Sequence, residues 1–284
     1  MHQRTPGPRV LQAAEAHTHT LLDLLKRASL TPQVRTRLEA VVADQACLVG
    51  HGHGVADRFD QADAWFAAAL RLARQAGDRR LEAFALASHA YTPHHGPKPN
   101  PAAALEWMEA AAALHLLLPP EGQALVFAYL AVDRAAVGDD LGSGRLLEQA
   151  RTAAARARRD DPGWGFWSAH GMLSGWDGVR LEVFAGKRLL GLGRPADAVE
   201  RFDVAVNGTT APLRRFSLRV DMTDACVALG DPDRTCASAM AGLNEADAHG
   251  LGISEIRRAR TAFPRPWRTL APVVELDERL ALAN

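Results

Sequence analysis

Histidine is the residue type in this chain most able to do chemistry, and four of the eleven histidines form two clusters. His51 and His53 lie in the run GHGHG, and His94 and His95 lie in YTPHHGP. Neutral imidazole is a common ligand of zinc, copper and nickel, and it also makes polar or pH-sensitive contacts. Neither run contains Asp or Glu, and the His-Glu-x-x-His pattern is absent from the sequence. We therefore treat a metal site, and a metal-dependent enzyme using it, as the weaker alternative to exposed histidines in loose turns.

The two histidine clusters fall at equivalent places in the sequence. Aligning Leu38-Glu39-Ala40 with Leu81-Glu82-Ala83, an offset of 43 residues, places His51 on His94. Equivalent positions of stacked repeats point the same way, so both side chains are expected to face one concave groove. Arginine or lysine in such a groove would suit a carboxylate or an acidic peptide, and ordinary solvated charges are the alternative. The candidate groove residues are Asp44, His51, His94, Arg180, Lys187 and Asp224.

An aromatic, glycine-rich insert is the second candidate site. Trp164, Phe166, Trp167 and Trp176 fall within thirteen residues of a segment that also contains several glycines. Large apolar side chains in a long loop either line a pocket for an apolar or aromatic ligand or fill a gap between repeats. Exposure of three indoles would be costly, so packing is the favoured interpretation.

A short sequence pattern recurs along the chain: a small residue, then a bulky apolar residue, then another small residue. We call this pattern the recurring phrase, and it predicts the helices that would position these side chains. Its members stand at i, i+4 and i+7, which share one face of a helix. A neighbouring helix can approach the small residues closely while the bulky one fills the gap. Gly50 and Gly186 each precede a copy by twelve residues, where a glycine would let the preceding helix cross at close range. The copies are Ala62, Phe66, Ala69; Ala104, Met108, Ala111; Ser143, Leu147, Ala150; Ala198, Phe202, Ala205; and, in weaker form, Thr235, Ala239, Gly242.

These patterns predict an all-α chain of about five stacked antiparallel helical hairpins. Alanine and leucine dominate over β-branched residues, and no segment shows strand alternation bounded by hairpin turns. Residues 1–30 are predicted to form an N-terminal tail and capping helix, and residues 31–284 the array. Segment 92–100 is predicted to be a connection too rich in proline for a helix. The expected hairpins are 31–77, 79–118, 122–159, 179–206 and 213–249, followed by a cap with a closing helix at 254–282.

The hairpin pattern resembles the tetratricopeptide repeat, which implies a right-handed superhelix. Four stretches also resemble the C-terminal region of actinobacterial helix-turn-helix (XRE-type) transcriptional regulators: LRLARQAGDRRLEAFALAS, LGRPADAVERF, LGDPDRTCASAM and ISEIRRAR with WRTLAPVVELDERL. The resemblance covers about residues 30–284. In that family a small DNA-binding domain of four or five helices, over some sixty residues, precedes the array. In this sequence only about thirty residues, mostly in one predicted helix, precede the array. We therefore expect no direct nucleic-acid binding by this chain.

The function expected from these features is binding rather than catalysis. No P-loop, strand-led Gly-x-Gly-x-x-Gly or Gly-x-Ser-x-Gly motif is present, so we expect neither enzymatic activity nor a cofactor. The groove is expected to bind a peptide, a protein segment or a small effector, in transcriptional regulation. The alternative is a static protein-interaction scaffold, such as a homodimer built through the terminal cap. The net charge of zero also argues against a nucleic-acid-binding face. Because no long apolar run occurs and the N-terminus MHQRTPGPRV has no hydrophobic signal core, we expect a cytoplasmic protein with no membrane partner.

Overall fold

The computed structural model describes residues 8–157, 178–249 and 251–283, and every regular element in these ranges is a helix. The prediction of an all-α fold is confirmed for this part of the chain. Many helices begin in the same way, with a proline in the first turn, where a missing amide hydrogen breaks no helical hydrogen bond. In α2, for example, Thr31 precedes Pro32, and the Thr31 hydroxyl accepts a hydrogen bond from the Val34 amide.

Residues 8–157, the first described range, contain eight α-helices and one short 3-10 helix, which we call η1. Short connections join successive helices in this range. The bounds are α1 Pro8–Arg27, α2 Pro32–Val55, α3 Phe59–Gln75, α4 Arg79–His89, α5 Tyr91–His95, α6 Pro101–Ala112, η1 His115–Leu117, α7 Pro120–Ala136 and α8 Asp140–Arg156.

The second half contains six described α-helices and a second 3-10 helix, η2. Here too, proline or a small polar residue begins most helices. The bounds are α9 Gly178–Gly191, α10 Pro195–Asn207, α11 Pro212–Leu229, α12 Pro232–His249, α13 Ser254–Thr261, η2 Arg265–Thr269 and α14 Ala271–Leu282.

The described residues divide into two compact units. The N-terminal unit comprises 8–137 and 141–157, and the C-terminal unit comprises 138–140 and the described residues from 178 onward. Within the N-terminal unit, α1 packs on α2, α2 on α3, α3 on α4, α4 on α6 and α6 on α7. Within the C-terminal unit, α9 packs on α10, α10 on α11, α11 on α12 and α12 on α14. Neighbours in sequence are thus neighbours in space in both units.

The recurring phrase forms the centre of this packing. Every one of its fifteen residues is buried, and Phe66 and Phe202 have no exposed surface. Phe202 belongs to a core cluster contributed by α9, α10 and α11. The phrase thus identified, from sequence, the buried face of each helix that carries it.

Glycine allows two helix pairs to approach closely, as its spacing predicted. A Cβ built on Gly50 would lie 2.6 Å from Cε1 of Phe66, and one built on Gly186 would lie 2.5 Å from Cε1 of Phe202. Real Cβ atoms do not approach other heavy atoms to such distances, so only glycine fits at these two positions.

Two predictions about the histidine-containing segments are wrong. The run GHGHG is not a loose turn, because α2 continues through it to Val55. Glycine disfavours a helix by about 1 kcal/mol per residue, but here each glycine contacts a neighbour: Gly52 faces Leu11, and Gly54 faces Tyr91. Segment 92–100 is also helical in part, since α5 spans Tyr91–His95.

The helix α5 exists as a separate element because of Pro93. Proline has no amide hydrogen, and its ring would clash with the carbonyl four residues earlier, which belongs to His89. The helix α4 accordingly ends at His89, and α5 begins at Tyr91 with Pro93 near its start. A short helix thus carries His94 and His95 at the end of the broken α4.

The terminal cap uses most of its apolar side chains within its own chain. Val273, Leu276 and Leu280 of α14 are buried against α12 and α13, and Trp267 of η2 packs on the same cluster. Val274 and Leu270 remain exposed, at 43% and 36%. A homodimer built through this cap could therefore use Val274 and Leu270, whereas Val273, Leu276 and Leu280 already pack in the core.

Candidate functional site

The exposed face of α2 is a candidate binding surface in the N-terminal unit. Four apolar side chains spaced by seven residues remain exposed on it: Val34 at 49%, Val41 at 51%, Leu48 at 37% and Val55 at 40%. At 1.5 Å per residue, successive members lie about 10.5 Å apart along the helix. Two half-buried polar residues, Asp44 and His51, share this face because they follow Val41 and Leu48 by three positions. We call these six residues the α2 face.

His51 is held at the α2 face by three neighbours. Its Nε2 lies 3.2 Å from the Ser88 hydroxyl of α4. Its ring packs edge-on against Phe66 of α3 and Tyr91 of α5, with centroid distances of 5.0 and 5.5 Å. The imidazole thus joins three helices, and one ring nitrogen is engaged by a buried hydroxyl.

Cys47 lies beneath the α2 face and is not a candidate nucleophile. The thiol is completely buried, and this burial raises the pKa of Cys47 far above its usual range. The nearby Asp44 carboxylate makes a smaller contribution in the same direction. Burial also raises the pKa of Cys226 and raises that of Cys236 to about 11. All three cysteines are buried free thiols, and they stay protonated at neutral pH.

His94 is half-buried and faces a buried acidic residue of α7. Its Nε2 lies 2.9 Å from Oδ1 of Asp133, a residue of α7 with no exposed surface. The neighbouring His95 is exposed and lies 4.5 Å, centroid to centroid, from the ring of Tyr91. Tyr91 in turn contacts His51, so the rings of His51, Tyr91, His95 and His94 form one connected series.

The histidines proposed as alternative metal ligands have different partners. His53 is buried, with its Nε2 3.3 Å from Oε1 of Glu15 in α1. His51 faces Ser88, and His94 faces Asp133. Within the described residues, no group of three or more His, Cys, Asp or Glu side chains is arranged to hold a metal ion.

The candidate groove residues of the C-terminal unit form a mixed-charge cluster. The Nζ atom of Lys187 in α9 lies 3.1 Å from Oδ1 of Asp221 in α11. Partial removal of its carboxyl group from water, together with the Asp221 carboxylate, raises the pKa of Asp224 to about 6. Glu255 adds to this rise, whereas the cationic groups of Arg258 and Lys187 oppose it. Lys187 therefore already has a carboxylate partner at the place where we expected an acidic ligand.

Of the remaining candidates, the structure describes Arg180 but not the aromatic insert. Arg180 lies half-buried in the first turns of α9 and has partners within the chain. The aromatic insert with Trp164, Phe166, Trp167 and Trp176 lies outside the described residues.

Sequence reasoning missed a cleft between α3, α4 and α6. The cleft has a volume of about 450 Å³, and Leu70, Arg71 and Arg74 of α3, His89 of α4 and Trp107 of α6 line it. Its residues come from three helices with no common spacing. The only signal in the sequence was the high number of histidines, which does not distinguish His89 from the others.

Comparisons with known proteins leave the family open. No family model matches this chain, and no curated protein matches it either. Among the described helices, none is both long and apolar enough to cross a membrane.

Proposed function

We propose that this chain is a non-enzymatic binding module of tetratricopeptide-like build whose α2 face takes an amphipathic helical segment of a partner protein. The observation that carries the proposal is the row of exposed apolar residues at intervals of seven on one helix. A partner helix with apolar side chains at i, i+3, i+4 and i+7 has a matching period. Exposed apolar rows flanked by polar groups are typical of interaction surfaces.

The polar members of the α2 face would fix the orientation of the partner. Asp44 contributes a half-buried carboxyl group, and His51 contributes an aromatic edge whose position is set by Ser88 and Tyr91. Side chains that are already ordered lose little conformational entropy on binding. The apolar row would supply affinity, and these two residues would supply register.

The histidine contacts support a binding role rather than catalysis. His51, His53 and His94 each direct a ring nitrogen toward a side chain of another helix: Ser88, Glu15 and Asp133. Such pairs position helices relative to one another. General base catalysis, by contrast, requires an imidazole nitrogen within reach of a substrate proton.

The array and the regulatory role remain parts of the proposal. The buried phrase and the contacts of Gly50 and Gly186 support the tetratricopeptide-like build. The resemblance to the C-terminal region of helix-turn-helix regulators supports a place in transcriptional regulation, in the cytoplasm. Binding would then change the relative positions of helices and so pass a signal to a partner.

Selection of peptides from a phage-displayed library of amphipathic helices, on the immobilised chain, tests this proposal. We expect enriched peptides to bind the double variant Val41→Glu, Leu48→Glu at least tenfold more weakly in calorimetric titrations. Each substitution replaces an apolar contact with a charge that the partner would have to desolvate. Failure to enrich any peptide would contradict the proposal.

The matched control is Val204→Glu, because Val204 is also exposed, at 56%, and lies on α10 of the other unit. This control should leave peptide affinity unchanged. Equal weakening by the control, or equal binding to wild type and the double variant, would show that the α2 face is not the binding surface.

A further inference from the structure

We propose that the cleft between α3, α4 and α6 is a second binding site, which takes a small planar aromatic carboxylate. This site is on different residues from the α2 face and does not depend on the function proposed for that face. The volume of about 450 Å³ lies within the range of small-molecule sites.

A stacked pair of rings forms one wall of the cleft. The rings of His89 and Trp107 lie with centroids 4.1 Å apart and an angle of 20° between their planes. His89 is only 6% exposed, and its Nε2 lies 2.8 Å from Oδ1 of Asp63, so the imidazole cannot rotate freely. Trp107 is half-buried, which leaves part of the indole open to a ligand. A rigid aromatic wall favours a flat apolar ligand because ring stacking stabilises it beyond the burial of area.

The buried imidazole of His89 also has an unsatisfied atom. Its Nδ1 has no hydrogen-bond partner among the described residues, although it is shielded from solvent. Buried polar atoms in native proteins are almost always paired, and an exception calls for an explanation such as a bound group. The unsatisfied atom thus belongs to a residue that lines the cleft.

Arginine side chains at the rim give the cleft its preference for an anion. Arg71 is exposed and, within the described residues, makes no ion pair. Arg74, one turn further along α3, is held by Glu82, whose carboxylate also binds Arg79. The guanidinium groups around the cleft, those of Arg71, Arg74 and Arg79, therefore outnumber the two carboxyl groups, those of Glu82 and Asp63.

Together these features define the ligand class. The free guanidinium of Arg71 can bind a carboxylate in bidentate geometry, while Leu70 and Trp107 contact an apolar body. A neutral aromatic molecule would leave Arg71 unused, and an aliphatic carboxylate would not stack on Trp107.

Titration of the full chain with 2-naphthoate tests the site, with the indole N–H signal of Trp107 in a nitrogen-15 NMR spectrum as the readout. The signal is assigned by its loss in Trp107→Phe. We expect a saturable shift of this signal. The uncharged analogue 2-naphthalenemethanol should bind roughly tenfold to a hundredfold more weakly, because it lacks the charged hydrogen bonds to Arg71.

The variant Arg71→Gln should weaken 2-naphthoate binding by a similar factor, whereas Arg145→Gln should not. Both arginines are exposed, and Arg145 lies on α8 away from the cleft, so the pair is matched for loss of a surface charge. Three results would each overturn the proposal: no saturable shift, equal affinity for the alcohol, or unchanged binding by Arg71→Gln in a folded protein.

Discussion

Gly50 and Phe66 meet so closely that a single methyl group between them has no room. A Cβ on Gly50 would lie 2.6 Å from Cε1 and 2.7 Å from Cδ1 of the Phe66 ring. Phe66 has no exposed surface, so its ring cannot move aside into solvent. The helices α2 and α3 are therefore packed at a distance that requires glycine at this position.

We predict that Gly50→Ala destabilises the protein despite the better helix propensity of alanine. Overpacking of a tight core costs roughly 1–3 kcal/mol, which exceeds the propensity gain of about 1 kcal/mol. Urea denaturation monitored by circular dichroism measures the change. Gly178→Ala is the control, since a Cβ there meets nothing within 4 Å.

The cause of this effect can be separated from a general loss of helix stability. The double variant Gly50→Ala, Phe66→Leu should lose less stability than the sum of its single variants, because the smaller side chain makes room for the methyl group. Strict additivity of the two changes would show that Gly50 and Phe66 do not constrain each other.

The pair of His94 and Asp133 gives a second prediction. Because Asp133 has no exposed surface, removal of its neighbour by His94→Ala would leave a buried carboxyl group without that polar contact. Leaving a buried polar group without a partner costs roughly 1–3 kcal/mol.

The same denaturation measurement on His94→Ala, Asp133→Leu tests the pairing. This double variant should recover much of the lost stability, because an apolar residue replaces the polar group left without a partner. His95→Ala, which changes the exposed neighbour, should cost little. If the double variant is less stable than His94→Ala alone, the pair is not the source of the effect.

Asp224 gives a prediction about pH. Since its pKa in the folded protein is raised to about 6 from an ordinary value of 3.8, the folded state binds more protons than the unfolded state between these values. The stability contributed by protonated Asp224 is fully present below pH 3.8 and is lost as the pH rises through 6. Asp224→Asn should therefore gain stability relative to wild type as the pH rises from 4 to 7.

The expected gain is about 1 kcal/mol, because exposure of the side chain weakens the effect through solvent screening. Unfolding by urea at several pH values measures it, with Glu106→Gln, an exposed residue of α6, as the control. A difference between Asp224→Asn and wild type that does not vary with pH would show that the raised pKa is absent.

The packing of the helices was predictable because it depends on local spacing. The phrase around Phe66 identified the buried face of α3, and the glycine twelve positions earlier identified its contact with α2. Both inferences need only the helical period and the sizes of side chains. The histidine run GHGHG was not predictable in this way, since its glycines are tolerated only because Phe66, Leu11 and Tyr91 fill the space around α2.

The cleft and the charge partners depend on contacts distant in sequence. His89 meets Asp63 and Trp107, which lie on two other helices, and nothing in local spacing relates them. Lys187 appeared in the sequence to be a cation available to a ligand, but Asp221 of another helix neutralises it. Propensity and periodicity define faces of helices, whereas the partner of each polar side chain follows from the tertiary arrangement.

The most direct test of the proposed function is an NMR titration of the methyl-labelled chain with a helical peptide selected on it. The account predicts that the methyl signals of Val34, Val41, Leu48 and Val55 shift together with saturation, while that of the exposed Val204 does not. Shifts confined to residues outside the α2 face would contradict the claim that this face is the binding surface.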